Sequence, residues 1–450
     1  MKIERIKIII ITFVMCHLLS VNAQNAEGTL AVGNLDIDLG KAIEIALAEN
    51  PTIKVADKEI ELKKIADSEA WQGLLPSVTA TASLQHTLLA AQLNLGGRKF
   101  KMGADGTNTV AAIATLNIPL FAPAVYQNMK ITKEDILLAK EKARGSRLDL
   151  IRQVTKAYYA ALLAKDSYEV MKKSYAVAKE NHDVVDAKYK VGKVSEYDLI
   201  SADVQMRAMN SSLVSTETGL SLALLQLKVL MGITENVDVN LNDNLRKYEN
   251  SLTLEDGGSD ALEIANNSSL RQIDRNTAML ERSSKILKTN FMPSVSFQLS
   301  GQYQSLYNTN WNIFKYEYSP SASFTIGVSI PIFTAHNWTK LKTNKMQRLQ
   351  LQDTRENTLR QLRMAVESYR RNMVSTVSQI ESNREAVVKA NKAVDISSKR
   401  YDVGRGTILE LNQSEIALTQ AELTYNQSIY DFLANKADLD YTLGRETYLK

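Results

Sequence analysis

The sequence predicts a mainly α-helical fold with a smaller β part, in which two copies of one structural unit follow each other along 450 residues. Three observations lead to this fold class. Motifs recur at a nearly constant displacement, four segments alternate polar and apolar residues, and two long stretches contain no proline. The chain is 44% hydrophobic with a formal net charge of +4, which indicates neither disorder nor nucleic-acid binding.

The first predicted element is a secretory signal peptide at residues 1–23. Basic residues in the first seven positions precede an apolar run from Ile8 to Leu19, and Val21-Asn22-Ala23 supplies small residues before a cleavage site. A retained membrane anchor is the alternative. The only cysteine, Cys16, lies inside the apolar run, so the mature chain is expected to be exported without disulfides.

An internal duplication organises the remaining sequence. Leu75-Pro76-Ser77-Val78 recurs as Met292-Pro293-Ser294-Val295, and Tyr189-Lys190-Val191-Gly192 recurs as Tyr401-Asp402-Val403-Gly404. The displacements are 217 and 212 residues, and such a register is not expected by chance.

The two structural repeats are predicted at 24–232 and 260–450. An Asn- and Asp-rich equatorial linker at 233–259 joins them and is expected to pack around the helices midway. Each repeat is expected to begin with helices, continue with two strands, and end in a long helical hairpin. The predicted hairpins cover about 124–231 and 335–444.

Strands are predicted where side chains alternate with period two. In the clearest segment Ala322, Phe324 and Ile326 alternate with Ser323 and Thr325. Alternating stretches of about ten residues are long enough for a tilted strand to cross a bilayer. The four predicted strands cover about 76–95, 107–121, 293–307 and 319–333.

The strand pattern leaves two environments open. Alternation also fits a half-buried sheet of a soluble domain, but Ser, Thr, Gln and Gly on the polar faces favour a water-filled lumen. Four strands cannot close a barrel, so a transmembrane barrel requires about 8 strands from a dimer or about 12 from a trimer.

The helical hairpins are expected to pack as antiparallel coiled coils. From Leu150 to Tyr189, and again from Leu362 to Tyr401, apolar and small residues follow alternating steps of four and three. A helix of about 65 residues would be roughly 100 Å long, which a compact domain cannot accommodate.

In combination these features resemble the outer-membrane efflux protein family, the TolC-like channel tunnels. The resemblance implies a homotrimer with a twelve-stranded β-barrel in the outer membrane and a periplasmic α-barrel of helical hairpins. It implies a passive exit duct for small molecules or proteins in a tripartite efflux or type I secretion system. The implied partners are a periplasmic adaptor (membrane fusion) protein, an inner-membrane pump and outer-membrane lipid.

The resemblance also implies a constriction at the periplasmic helix ends. A gate arginine of the family corresponds to Gly406 here, and the nearest arginine is displaced by one position. Three-fold repetition would turn acidic side chains into rings that bind cations and repel anions. A solvated helix face is the alternative for each residue. The candidate constriction residues are Asp198, Tyr401, Arg405, Glu410 and Gln413.

The two hairpin turns are the candidate contacts for the adaptor. Glycine in the αL conformation that ends a helix, beside a basic residue, also explains these turns without any partner. The candidate docking residues are Val191, Gly192, Lys193, Val403, Gly404 and Arg405.

An enzyme is not expected, and no metal or cofactor site is predicted. His86, His182 and His336 are isolated from each other, without metal-ligand spacing. The alternative function is a periplasmic coiled-coil adaptor without a pore. Such an adaptor would carry one hairpin flanked by β-domains, whereas this sequence predicts two hairpins, each preceded by a strand pair.

Overall fold

The computed structural model describes residues 35–233, 237–252 and 263–446. The predicted signal peptide and part of the linker lie outside these residues. The helices are α1 Leu39–Glu49, α2 Pro51–Ala70, α3 Pro123–Lys190, α4 Glu196–Met231, α5 Ser268–Thr289, α6 Ala335–Asp402 and α7 Ile408–Leu443. The strands are β1 Leu35–Ile37, β2 Ser77–Thr87, β3 Ala91–Leu95, β4 Arg98–Met102, β5 Thr107–Phe121, β6 Val239–Leu241, β7 Ser294–Asn308 and β8 Ser319–Ser329.

The two long hairpins confirm the predicted duplication of helical architecture. Helices α3 and α6 each contain 68 residues, and helices α4 and α7 each contain 36. Both ends of each helix differ from its counterpart by 212 positions. A helix of this length extends for about 100 Å, so each hairpin is far longer than the sheet is wide.

Each hairpin returns to the start of its own repeat through a matching joint. Gly232 after α4 and Gly444 after α7 both adopt the αL conformation, with φ of 71° and 68°. Asn50, which caps α2, donates its side-chain amide to the Leu230 carbonyl at 2.8 Å. Asn267 caps α5 and donates to the Thr442 carbonyl at 2.9 Å. We call these two contacts the helix joints.

Strands β2, β5, β7 and β8 form one antiparallel sheet in that order. The register aligns apolar side chains across it, as in the row Val78, Leu116, Leu299 and Phe324. The adjacent row is polar and contains Thr79, Thr115, Ser300 and Ser323. One sheet face is therefore apolar and the other polar, as a barrel between lipid and water requires.

The first predicted strand is shorter than expected from the sequence. Strand β2 ends at Thr87, and the remaining residues to Leu95 include β3, which pairs with β4 in a separate two-stranded sheet. Gly96-Gly97 is the turn of this β-hairpin, between Leu95 and Arg98. Both glycines have positive φ, as a tight hairpin turn demands.

The buried core lies midway along the helices, where the linker packs against α3. Strand β6 pairs in parallel with β1, and Tyr158 on α3 is fully buried. The Asp243 carboxylate accepts hydrogen bonds from the hydroxyls of Tyr158 at 3.0 Å and Tyr248 at 2.8 Å. The described residues 237–252 thus pack against the helices midway along their length.

Helix α4 combines an apolar composition with an exposed position. By length and composition alone it could cross a membrane, yet little of its most apolar segment is buried within one chain. Exposed Val204, Val214, Leu222 and Val229 account for much of this surface. Since the same helix belongs to a long hairpin, the exposed side chains fit contact with further copies of the chain.

Candidate functional site

The candidate site lies at the two hairpin turns, at the helix ends remote from the four-stranded sheet. Gly192 and Gly404 both have φ of 71°. Their backbone N–H groups donate to the carbonyls of Tyr189 at 2.8 Å and Tyr401 at 3.1 Å. Each turn therefore ends its helix by the αL geometry that the sequence predicts for glycine.

Residues at equivalent positions after the two turns, 212 apart in the sequence, have different hydrogen-bond and ion-pair partners. Ser195 caps α4, and Thr407 caps α7. The Ser195 hydroxyl donates to Asp198 Oδ2 at 2.8 Å, and the Asp198 N–H donates back to Ser195 Oγ at 3.2 Å. This capping box engages the Asp198 carboxylate locally. Glu410 occupies the corresponding position but lies 3.6 Å from Arg400 Nη1.

Tyr401 connects the two turns. Its ring packs against a small buried group, which we call the tip cluster, formed by Val185, Ala202, Ile408 and Leu411. The Lys188 ammonium lies 4.7 Å from the centre of the same ring, a cation–π contact between the hairpins.

The Tyr401 hydroxyl is buried and has no hydrogen-bond partner among the described residues. Burial raises the pKa of Tyr401, and the nearby carboxylates of Asp198 and Asp402 raise it further. An unpaired buried hydroxyl costs stability, so a change at the turns that provides a partner for it would be favoured.

Arg405 and Gln413 do not join this cluster. Both side chains are exposed. A Cβ at Gly406 would lie 3.1 Å from Arg400 Cβ and 3.2 Å from the Tyr401 nitrogen, so the close approach favours glycine there. The residue that sequence reasoning missed is Arg400, which reaches Glu410 from the last turn of α6. Its exposed ion pair is a weak contact, worth about 0–1 kcal/mol.

A second set of contacts joins the two hairpins further from the turns, towards the middle of the helices. Asn181 on α3 donates to Glu415 on α7 at 2.7 Å, and the hydroxyls of Ser174 and Thr419 lie 2.7 Å apart. A cavity of about 140 Å³ lies beside these contacts. Residues of α3, α4, α6 and α7 line it, so all four long helices meet there.

Glu415 is the half-buried charge of this contact. Burial raises the pKa of the Glu415 carboxyl, and the Asn181 hydrogen bond offsets only part of that effect. A raised pKa in the folded state means that ionised Glu415 destabilises the protein at neutral pH. That destabilisation disappears as the pH falls below the ordinary glutamate pKa of about 4.3.

We expect Glu415→Gln to raise the midpoint of thermal unfolding at pH 7, because the amide can keep the Asn181 contact without a half-buried charge. The difference from the unmodified protein should vanish near pH 4, as measured by circular dichroism. Glu385→Gln is the matched control, since Glu385 is exposed beside Lys389 at 3.2 Å. An equal rise in both variants, or a rise that persists near pH 4, would contradict this account of Glu415.

The part of the chain that the structure describes contains no group of three or more His, Cys, Asp or Glu side chains placed to hold a metal ion. His182 contacts Asp183 at 3.2 Å and lies 3.9 Å from Asp203, with both contacts on the helical hairpin. The chemistry available at the turns is therefore charge, hydrogen bonding and apolar packing.

Comparison with known proteins supports the architecture over nearly the whole chain. The family described as "Outer membrane efflux protein" matches residues 42–233 and 261–445. The outer membrane protein TolC of Vibrio cholerae is 23% identical over 337 residues, which cover 72% of this chain and 75% of TolC. The alkaline protease secretion protein AprF of Pseudomonas aeruginosa is 22% identical, covering 93% of this chain and 85% of AprF.

Solved structures show the same fold. The structure of CusC superposes with a TM-score of 0.73 at 16% identity, covering 91% of this chain and 92% of CusC. The open state of the Neisseria gonorrhoeae MtrE outer membrane channel has a TM-score of 0.71 at 17% identity, covering 90% of this chain and 88% of MtrE.

Proposed function

Because the chain belongs to the outer membrane efflux protein family, we propose that its hairpin turns form the gate of a passive exit duct across the outer membrane. The protein is an outer-membrane channel for efflux or secretion, with its helices in the periplasm. Members of this family are channel proteins rather than enzymes. They are trimeric and work with adaptor and inner-membrane pump partners.

The observation that supports the duct most directly is the alignment of sheet rows. Three copies of the four-stranded sheet provide twelve strands, with β2 and β8 as the edges that neighbouring copies pair. The polar row containing Ser300 and Ser323, whose hydroxyls lie 2.9 Å apart, then faces a water-filled lumen. The strands themselves do not close such a lumen, so we place the gate at the helix ends.

The gate proposal rests on the contacts between the two turns. Tyr401, Lys188 and the tip cluster connect the first hairpin to the second. The weak Arg400–Glu410 pair lies within the second hairpin, between α6 and α7. Weak, exposed or unpaired groups at this end allow the hairpins to separate at small energetic cost. Arg405 and Gln413 are proposed to line the opening, while Arg400 takes the place of the family's gate arginine.

The adaptor is proposed to dock at the turns themselves. Val191 and Val403 are exposed apolar side chains, each followed by a glycine and a basic residue, Lys193 or Arg405. Similar turns in both hairpins would offer six similar contacts around a trimer. A periplasmic protein with matching apolar and acidic groups fits this surface.

Conductance of the purified protein in a planar bilayer tests the duct. We expect a trimeric, cation-preferring pore. No conductance, together with extraction from membranes without detergent, would instead favour the alternative function, a periplasmic coiled-coil adaptor without a pore.

The acidic residues of the turns provide a narrower test. We expect Glu410→Gln combined with Asp198→Asn to lower the cation-to-anion permeability ratio several-fold, since two charges per copy disappear from the constriction. The amide at position 198 can still accept from Ser195, so the helix cap is preserved. The permeability ratio follows from reversal potentials in a salt gradient.

Glu367→Gln is the control for this test, because it removes a carboxylate from α6 that is paired with Arg371 on the same helix. If the double variant and Glu367→Gln have the same permeability ratio as the unmodified channel, the constriction lies elsewhere.

A further inference from the structure

The β3–β4 hairpin is a structural unit that the barrel does not use. It leaves the sheet at the strand ends opposite the helices and forms its own two-stranded sheet. Isolated two-stranded hairpins are only marginally stable in water. This hairpin therefore needs a surface to pack against.

The register of the hairpin places large apolar side chains on one face and two lysines on the other. Leu93 pairs with Phe100, and Ala91 pairs with Met102, so these residues share one face. Lys99 and Lys101 belong to the other face, and Arg98, beside the turn, lies on the same face as Phe100. Leu93, Phe100 and Met102 are 43%, 52% and 64% exposed, so the apolar face is uncovered within the chain.

The base of the hairpin is tied to the barrel. The Ala90 N–H donates to Asp105 Oδ1 at 2.7 Å, and Lys101 also donates to the Asp105 carboxylate. A Cβ at Gly103 would lie 2.8 Å from the Tyr307 ring, so the chain approaches strand β7 closely there. The hairpin consequently keeps a defined position relative to the end of the sheet.

Two observations identify what covers the apolar face. Residues 91–102 carry three basic side chains, Arg98, Lys99 and Lys101, and no acidic one. Like charges disfavour packing of three hairpins against each other over the pore axis. Leu88 and Leu89, 77% and 84% exposed, continue the apolar surface of the sheet towards the hairpin.

We propose that the β3–β4 hairpin lies on the outer leaflet of the outer membrane, with its apolar face among acyl chains and its basic side chains at lipid phosphates. An amphipathic segment with basic residues binds an anionic lipid interface in this way. The hairpin would anchor the outer ends of β2 and β5 to lipid. The proposal rests on the outer-membrane location of the channel.

Spin labels can test the position of the two faces in the full-length trimer. In a Cys16→Ser background, single cysteines replace Phe100 on the apolar face or Lys99 on the basic face, and each carries a nitroxide. The trimer is placed in nanodiscs of phosphatidylglycerol or of phosphatidylcholine. Accessibility to oxygen reports lipid, and accessibility to a water-soluble nickel chelate reports water.

We expect the label at Phe100 to favour oxygen several-fold over the label at Lys99 in phosphatidylglycerol, and less so in phosphatidylcholine. Labels at Leu93 and Asn94 repeat the comparison on the other strand. Arg98→Gln with Lys99→Gln should shift the label at Phe100 towards water, while Lys101 keeps its contact with Asp105.

Equal exposure of both faces to water in phosphatidylglycerol, or short label–label distances between copies, would overturn the proposal. The conductance of the same labelled trimers separates this outcome from failure of the proposed function. A channel that conducts normally while the label at Phe100 stays in water refutes the lipid contact alone.

Discussion

Gly444→Ala is expected to lower the free energy of unfolding by at least about 2 kcal/mol, because an alanine there meets both a conformational and a steric penalty. Gly444 has φ of 68°, a region that costs L-residues about 1–2 kcal/mol. A Cβ at this position would lie 2.5 Å from the Asn266 carbonyl oxygen and 2.8 Å from its carbon. Because these are backbone atoms, the second helix joint must open to relieve the clash.

Gly404→Ala is the matched control, since Gly404 has a similar φ of 71° but no atom within 4 Å of the added Cβ. It should incur only the conformational cost, about 1–2 kcal/mol. Thermal unfolding followed by helical circular dichroism at one heating rate compares the variants. Equal midpoints for Gly404→Ala and Gly444→Ala would show that the joint does not depend on close packing.

Phe324→Arg is expected to prevent stable insertion of the barrel, since it places a charge on the apolar sheet face. Phe324 is 71% exposed in one chain and pairs with Leu299 across the sheet. Its ring stacks on that of Phe297, with 6.4 Å between the ring centroids. An arginine on a lipid-facing strand costs about 2–4 kcal/mol at the middle of a bilayer. Three copies in one barrel multiply that cost, so the amount of trimer in outer-membrane fractions should fall sharply.

Thr325→Arg tests the opposite face with the same added charge. Thr325 pairs with Gln298 on the polar face, so its arginine would face the lumen. The variant should insert normally and shift the conductance towards anions. Loss of Thr325→Arg from the membrane, with normal insertion of Phe324→Arg, would reverse the assignment of faces.

The candidate site was only partly predictable. Glycine at the turns followed from the sequence, and the family resemblance gave Tyr401 as a candidate constriction residue, but its contact with the first hairpin was not predicted. The engagement of Asp198 by Ser195 is also encoded locally, as a serine followed three positions later by an acidic residue, the signature of a capping box. That sequence signal indicates a structural role for Asp198 as the partner of the helix cap.

The pairing of Arg400 with Glu410, and of Asn181 with Glu415, could not be predicted from the amino-acid sequence. Arg405 is adjacent to the expected position in sequence, yet its side chain is exposed, since the direction of a side chain depends on how the turn closes. The period-two alternation stops at Leu88-Leu89-Ala90-Ala91, four apolar residues in a row, and the backbone leaves the barrel sheet there.

The sequence by itself determined the duplication, the equal helix lengths, the two αL turns and the two strand faces. These features depend on periodicity and capping among residues close together in the chain. Only the tertiary structure decided which side chains meet at the helix ends, how the helix joints interlock and where the β3–β4 hairpin separates. These contacts join residues that can be more than two hundred positions apart, and they depend on the rotation of each helix and the register between strands.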